Sequence, residues 1–337
     1  MSLVVIVIIV FAAMYVYKKF LKGIDLKDKN YTYIYIGKND SFEDVMNSIN
    51  SEDIIENPTA FSWLAKEMDL EKNINPGKYR IIDGMNMRQI INLIKYNKQE
   101  KVKLTFNSQI HNLDEFVEYV DDKLELSNSE LEDVLTDEKK LREWFKLDPD
   151  NSFALIIPGV YELSWAVSTD DFFKILKEKF NKVWNSTRLA QAKKLGYKVS
   201  EIITMASIVQ NESAIESEQE KIAGVYFNRL KKGMRLEADP TLKFANKNFG
   251  VKRVYNIDKE INSPYNTYRY KGLPPGPISL VNTQALDATL NYNKHNFIFF
   301  CAKPQLNGFS DFSSTYDQHR RFASAYQKAM NKKGIGR

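Results

Sequence analysis

One acidic residue falls where a helix should be apolar. Along VSEIITMASIVQNES (199–213), a turn of about 100° per residue gathers Val199, Ile202, Ile203, Met205, Ala206, Ile208 and Val209 on one broad arc. Thr204, Ser207 and Asn211 fall opposite, and Glu212 lands inside the apolar arc, one turn past Ile208 and Val209. A carboxyl group held there loses water, which disfavours its charged form and raises its pKa. That is the condition for a general acid near neutral pH. Two other readings compete. In one, the helix frays before Glu212 and the side chain points to water. In the other, Glu216, a turn further on, takes the place on the arc. Ser217-Glu218-Gln219-Glu220 has the form of a capping box, which breaks the chain near 214–217, demotes Glu216 and makes Glu220 a structural cap. The next helix is then expected over 218–232, closed by Lys231, Lys232 and Gly233.

Two further clusters carry polar groups suited to a sugar. Asp239-Pro240-Thr241 follows a short extended stretch, and Tyr265-Asn266-Thr267-Tyr268 precedes the rigid run Gly272-Leu273-Pro274-Pro275-Gly276-Pro277. Rings stack on the apolar faces of sugars, and amides, hydroxyls and carboxylates pair with their hydroxyl and N-acetyl groups. The plainer reading is a structural turn with packed tyrosines. The chemistry is narrowed further by what is missing. Cys301 is the single cysteine, and His111, His295 and His319 lie apart without metal-ligand spacing, so no metal site is expected. No Gly-rich phosphate loop is present, and no cofactor is expected. A net charge of +5 permits an anionic surface or polymer as partner but is too small to argue for nucleic acid.

The elements that must position these groups read as an α+β arrangement. The 337 residues suffice for about two domains. YTYIYI (31–36) alternates as a strand, and Ser41 with Asp44 opens a helix as a capping box. A helix near 59–68, a strand at 78–82 and an amphipathic helix bearing Met87, Ile90, Ile91 and Ile94 complete a small unit. A strand at 102–106 follows, then helices at 113–124 and 129–144, the apolar run 153–157, a long helix over 169–187, a strand at 296–301 and a closing helix over 314–332.

The amino terminus is different in kind. LVVIVIIVFAAMYVY (3–17) carries no charge and is followed by Lys18, Lys19 and Lys22, with no A-x-A-like cleavage site after it. It is expected to be an uncleaved membrane anchor, its length completed by interfacial tyrosines and snorkelling lysines. The lysines lie after the span, which by the positive-inside rule alone places the body of the chain in the cytoplasm.

Taken in order, ASIVQNES (206–213), NRLKKGMRL (228–236), ADPT (238–241), YNTY (265–268) and GLPPGPI (272–278) closely resemble the YceG-like (MltG) family of endolytic murein transglycosylases, a resemblance that continues through NYNKHNFIFFCAK (291–303). Upstream, NPGKYRIIDGMNMRQIINLI (75–94) is similar to that family's LysM-like subdomain. The resemblance implies a transmembrane anchor (1–22), a LysM-like subdomain (30–100) and a mixed α/β catalytic domain (101–337). It implies an enzyme that cuts the β-1,4 bond between N-acetylmuramic acid and N-acetylglucosamine in peptidoglycan, leaves 1,6-anhydro ends and terminates nascent strands. Glu212 falls on the family's catalytic glutamate, and Asp239, Thr241, Tyr265, Asn266 and Tyr268 become substrate-binding candidates. The implied partners are glycan strands, the membrane and peptidoglycan synthases. The implied location is the bacterial inner membrane, single-pass, with the catalytic domain on the periplasmic side, against the lysine bias. The alternative is a non-catalytic, membrane-anchored scaffold that binds peptidoglycan. The chain departs from the pattern at Gln210, where many relatives carry a second acid, at Ser310, where a histidine is common, and in IIPGVYEL (156–163) and FNSQIH (106–111).

Overall fold

In the computed structural model of the chain, the structure describes residues 6, 8, 14, 22–52, 54–249 and 256–333. The expected anchor at 3–17 therefore lies almost wholly outside the described residues, among which no helix is long and apolar enough to cross a membrane. The chain divides into two compact units. The first comprises residues up to Leu104 together with 119–127 and 160–171, and the second holds the remainder.

In the first unit, β1 (Tyr31–Ile36) leads to α1 (Phe42–Ser51), α2 (Pro58–Glu67), β2 (Gly77–Ile82) and α3 (Met87–Lys95). Strands β1 and β2 pair antiparallel, with Tyr31 opposite Ile82 and Ile36 opposite Gly77. Alternation puts Ile34, Ile36, Tyr79 and Ile81 on the inner face, where they meet Val45, Ile49, Phe61, Ile90, Ile91 and Ile94. The capping box at Ser41 and Asp44 is formed, and Asn86 with Gln89 makes a second one at α3. Later chain, at 119–127 and 160–171, returns to this unit. The Glu125 carboxylate accepts the Lys38 amide at 3.1 Å, the Glu125 amide donates to the Trp165 carbonyl at 2.8 Å, and the Trp165 ring meets Tyr35 edge-on. Strands β3 (Val102–Phe106) and β4 (Gly159–Leu163) form a separate two-stranded sheet.

Helices dominate the rest: α4 (Leu113–Lys123), α5 (Asn128–Leu135), α6 (Glu138–Phe145), α7 (Thr169–Val183), α8 (Ser186–Leu195), α9 (Val199–Glu212), α10 (Glu216–Lys231), α11 (Asp239–Ala245) and α12 (Thr283–Leu290). Strands β5 (Phe299–Ala302) and β6 (Ser310–Ser313) pair antiparallel before α13 (Tyr316–Lys332). Two helices expected to be continuous are interrupted, each by a side-chain cap. Asp137 accepts the Lys140 amide and separates α5 from α6; Asn185 accepts the Arg188 amide and ends α7 short of 187.

Helix α9 is the hub of the second unit. It packs against α8, α10, α11 and α12, so its sides are buried, Thr204 and Ser207 included. Two of the three residues of its polar arc, Thr204 and Ser207, are thus covered by neighbouring segments, and Asn211 remains exposed. Gly224 of α10 lets the segment at 293–295 lie close on that helix: a Cβ there would lie 2.5 Å from the Asn293 carbonyl oxygen.

Candidate active site

The polar arc of α9 holds the proline-glycine segment in place. The Ser207 hydroxyl accepts the Ile278 amide at 3.0 Å, and the Asn211 amide donates to Ser279 Oγ at 2.8 Å. Gln210 is bonded at both ends of its amide: Nε2 donates to the Leu280 carbonyl at 2.8 Å and Oε1 accepts the Asn282 amide at 2.9 Å. At a position where a second acid was considered, this chain thus has a latch. The segment packs tightly at Gly276, where a Cβ would come within 3.0 Å of the Asp150 carbonyl and 3.3 Å of the Tyr265 hydroxyl.

Glu212 is the last residue of α9, and the backbone turns extended at Ser213. The helix does not fray before it. The side chain keeps partial solvent access, and its Oε1 accepts a 2.6 Å hydrogen bond from the hydroxyl of Tyr226, which is 1% exposed. Burial pushes the Glu212 carboxyl up from 4.5 to about 7. The Tyr226 bond opposes this rise, the charge of Asp239 adds to it, and Lys243 and Arg229 favour the ionised form. Burial, reinforced by Glu212, holds the Tyr226 phenol well above its ordinary range, so it stays a donor.

The connection from α9 to α10 corrects the expected capping box. Helix α10 begins at Glu216, with Ile215 in the cap position and no side-chain cap from Ser217. Ser213 Oγ instead accepts the Ile215 amide at 3.1 Å, and Gln219 Nε2 closes the turn on the Ser213 carbonyl at 2.7 Å. Glu220 caps nothing here; it accepts from Asn293 Nδ2 at 3.1 Å. Glu218 is drawn inside, where it accepts the Ser310 amide at 2.7 Å.

Asp239 is placed by Arg229, whose Nη1 donates to the Leu236 carbonyl at 2.8 Å and to Glu237 Oε2 at 3.0 Å, and whose Nε donates to the Ile298 carbonyl at 2.7 Å. These bonds hold Glu237 in a left-handed backbone conformation (φ 53°), uncommon for a residue with a side chain. The turn delivers exposed Asp239 to the first position of α11, where its Oδ1 accepts the Tyr268 hydroxyl at 2.6 Å. Burial, then the Asp239 bond, raises the Tyr268 phenol far above its usual range.

Of the five sugar-binding candidates, Asp239 and Tyr268 therefore meet each other within electrostatic reach of Glu212. The other three make their contacts within the protein. Thr241 is fully buried, and its hydroxyl is shared between the Ala238 carbonyl (2.7 Å) and Thr267 Oγ1 (2.8 Å). Asn266 is also fully buried; its Nδ2 donates to the Lys259 and Ile261 carbonyls at 2.9 Å, and its Oδ1 accepts the Tyr268 amide at 3.0 Å. Both side chains spend their polar atoms on the turn that presents Tyr268. Tyr265 packs on Phe244, ring centroids 4.5 Å apart, and its hydroxyl sits beside Gly276. Sequence reasoning missed Tyr226, Arg229 and Lys243. Fourteen residues and a helix break separate Tyr226 from Glu212, beyond the reach of any local period.

Residues 34–325 match the YceG-like family. An endolytic murein transglycosylase of Bacillus subtilis (strain 168) is 27% identical over 333 residues, covering 94% of this chain and 90% of that protein. An endolytic murein transglycosylase of Streptococcus pneumoniae (strain D39) is 34% identical over 108 residues, which is 31% of this chain and 20% of that much longer protein. In fold, the chain is similar to the crystal structure of a yceG-like protein from Listeria monocytogenes, with a TM-score of 0.55 and 24% identity over 87% of this chain and 99% of that one.

Proposed function

The chain belongs to the YceG-like family, and on that premise we propose that it is an endolytic lytic transglycosylase of peptidoglycan with Glu212 as its acid/base. The observation that carries the reading is one carboxyl at a helix end, largely stripped of water in a residue that is still partly exposed, and so able to hold a proton up to about pH 7. Hydrolytic glycosidases generally use two carboxyl groups, one as acid and one to supply or activate the nucleophile. Here the nucleophile belongs to the substrate. Protonated Glu212 gives its proton to the oxygen between N-acetylmuramic acid and N-acetylglucosamine as the bond to the muramyl anomeric carbon breaks. The muramyl C6 hydroxyl then attacks that carbon and returns its proton to Glu212, leaving a 1,6-anhydro end. An intramolecular hydroxyl carries a large effective concentration, which explains how a single carboxyl can suffice. Asp239 and Tyr268, bonded to each other and within electrostatic reach of Glu212, are the groups this reading assigns to the flanking sugars.

In this reading residues 1–22 tether the enzyme to the inner membrane, with residues 101–337 acting outside the cytoplasm and residues 30–100 holding glycan as a LysM-like subdomain. Peptidoglycan synthases are the protein partners it calls for. The test is Glu212→Gln with intact sacculi: the wild type is expected to release soluble fragments and the variant none, with unchanged circular dichroism. Equal release by both proteins refutes the assignment. For orientation, protease added to spheroplasts is expected to digest the catalytic domain; protection refutes a periplasmic location.

A further inference from the structure

Glu212 has two carboxyl oxygens, and the structure treats them unequally. Oε1 receives the Tyr226 hydroxyl at 2.6 Å, whereas Oε2 has no hydrogen-bond partner among the described residues. Tyr226 itself is held firmly. It is 1% exposed, its ring meets Phe300 edge-on at 5.9 Å, and it lies on α10 one turn before Arg229, whose bonds secure the Asp239 turn. A phenol so enclosed has one available acceptor for its proton, and that acceptor is Oε1.

We infer that Tyr226 is a positioning residue that reserves Glu212 Oε1 as an acceptor and thereby makes Oε2 the atom that exchanges the catalytic proton. This role rests on Glu212 being the acid/base. A carboxylic acid that accepts a hydrogen bond on one oxygen carries its own proton on the other. Oε2–H is therefore the bond that breaks when the glycosidic oxygen is protonated and the bond that re-forms when the attacking hydroxyl loses its proton. Tyr226 keeps its own proton throughout. Its bond strengthens when Glu212 is ionised, because a charged acceptor binds a donor more tightly than a neutral one. The same contact thus fixes the carboxyl plane and stabilises the carboxylate between the two proton transfers.

The test combines turnover with a titration that needs no turnover. Tyr226→Phe keeps the ring and removes the donor. In the full-length protein, carboxyl 13C NMR is expected to show Glu212 titrating at higher pH in the variant, by roughly tenfold in proton affinity, as for loss of one charge-assisted bond. On purified glycan strands kcat is expected to fall about tenfold with KM unchanged, and the alkaline limb of the kcat–pH profile is expected to move upward. Substituting 3-fluorotyrosine at 226, a stronger donor with the same shape, is expected to move the Glu212 titration downward, and this holds the test open should the phenylalanine variant fold poorly. A Glu212 titration unmoved by both changes overturns the inference. So does a fall in kcat with an unshifted alkaline limb, since mere packing damage lowers rate without moving that limb. A shifted titration in a protein that cuts no glycan would instead support the Tyr226 contact and refute the proposed activity.

Discussion

Replacing Glu212 with glutamine removes a charge that the folded chain holds at a cost, so the variant should be more stable than the parent at neutral and alkaline pH. In the folded protein the carboxyl titrates near 7 rather than 4.5. Each tenfold change in proton affinity corresponds to about 1.4 kcal/mol, which sets a ceiling of about 3 kcal/mol on the difference. Partial solvent access at the carboxyl lowers the expectation to about 2 kcal/mol. Above about pH 7 the group is ionised in both folded and unfolded chains, and the folded state bears the whole penalty. Between about 7 and 4.5 the folded form takes up its proton first, and the penalty fades. Below 4.5 both states are neutral and the advantage of glutamine is gone. Glutamine retains Oε1 as an acceptor for Tyr226, and any cost of placing its amide donors is the same at every pH. The pH dependence of the difference therefore isolates the charge. Urea unfolding of both proteins at pH 8, 7, 6 and 5 measures it. A difference that stays constant, or that grows as pH falls, refutes the claim that burial holds this carboxyl protonated.

Other consequences follow from the same contacts. Ser207→Ala leaves the Ile278 amide buried without its acceptor and is expected to cost about 1–3 kcal/mol in urea unfolding. Gly224→Ala drives a methyl group against the Asn293 carbonyl and should lower stability by about 1–3 kcal/mol, read as a drop in Tm. Tyr268→Phe frees Asp239 from its 2.6 Å bond and should raise KM for glycan strands several-fold while leaving the melting curve within about 1 kcal/mol, as expected for a half-exposed polar contact. Cleavage by the wild type should decline as pH rises through about 7, when Glu212 loses the proton it must donate.

How much of this was legible beforehand depends on the range of the interaction. Helical periodicity put Glu212 on the arc of Ile208 and Val209 in the same helix, but it left a frayed end and Glu216 open as rivals until the family resemblance singled Glu212 out. Helix caps at Ser41 were equally local. The partner of the polar arc was not legible, because periodicity separates polar from apolar faces but does not tell whether the polar face meets water or another segment; here Ser207 and Gln210 grip residues 278–282. The false capping box at Ser217 shows the same limit. Its pattern was present, but Ser213 and Gln219 closed the turn one step earlier, and Ser310 drew Glu218 inward. Thr241 and Asn266 were correctly seen as unusual yet assigned outward, because a short polar residue beside a turn looks alike in sequence whether it binds a ligand or its own backbone. Tyr226 left no local trace, being brought to Glu212 only by the packing of α9 on α10.

The most direct measurement is the mass of the new ends when purified, uncrosslinked glycan strands are incubated with wild-type protein and with Glu212→Gln. The wild type should leave muramyl ends one water lighter than reducing ends, and the variant should leave the strands whole. Reducing ends from the wild type, or cleavage by the variant, would contradict transglycosylation driven by a proton held on Glu212.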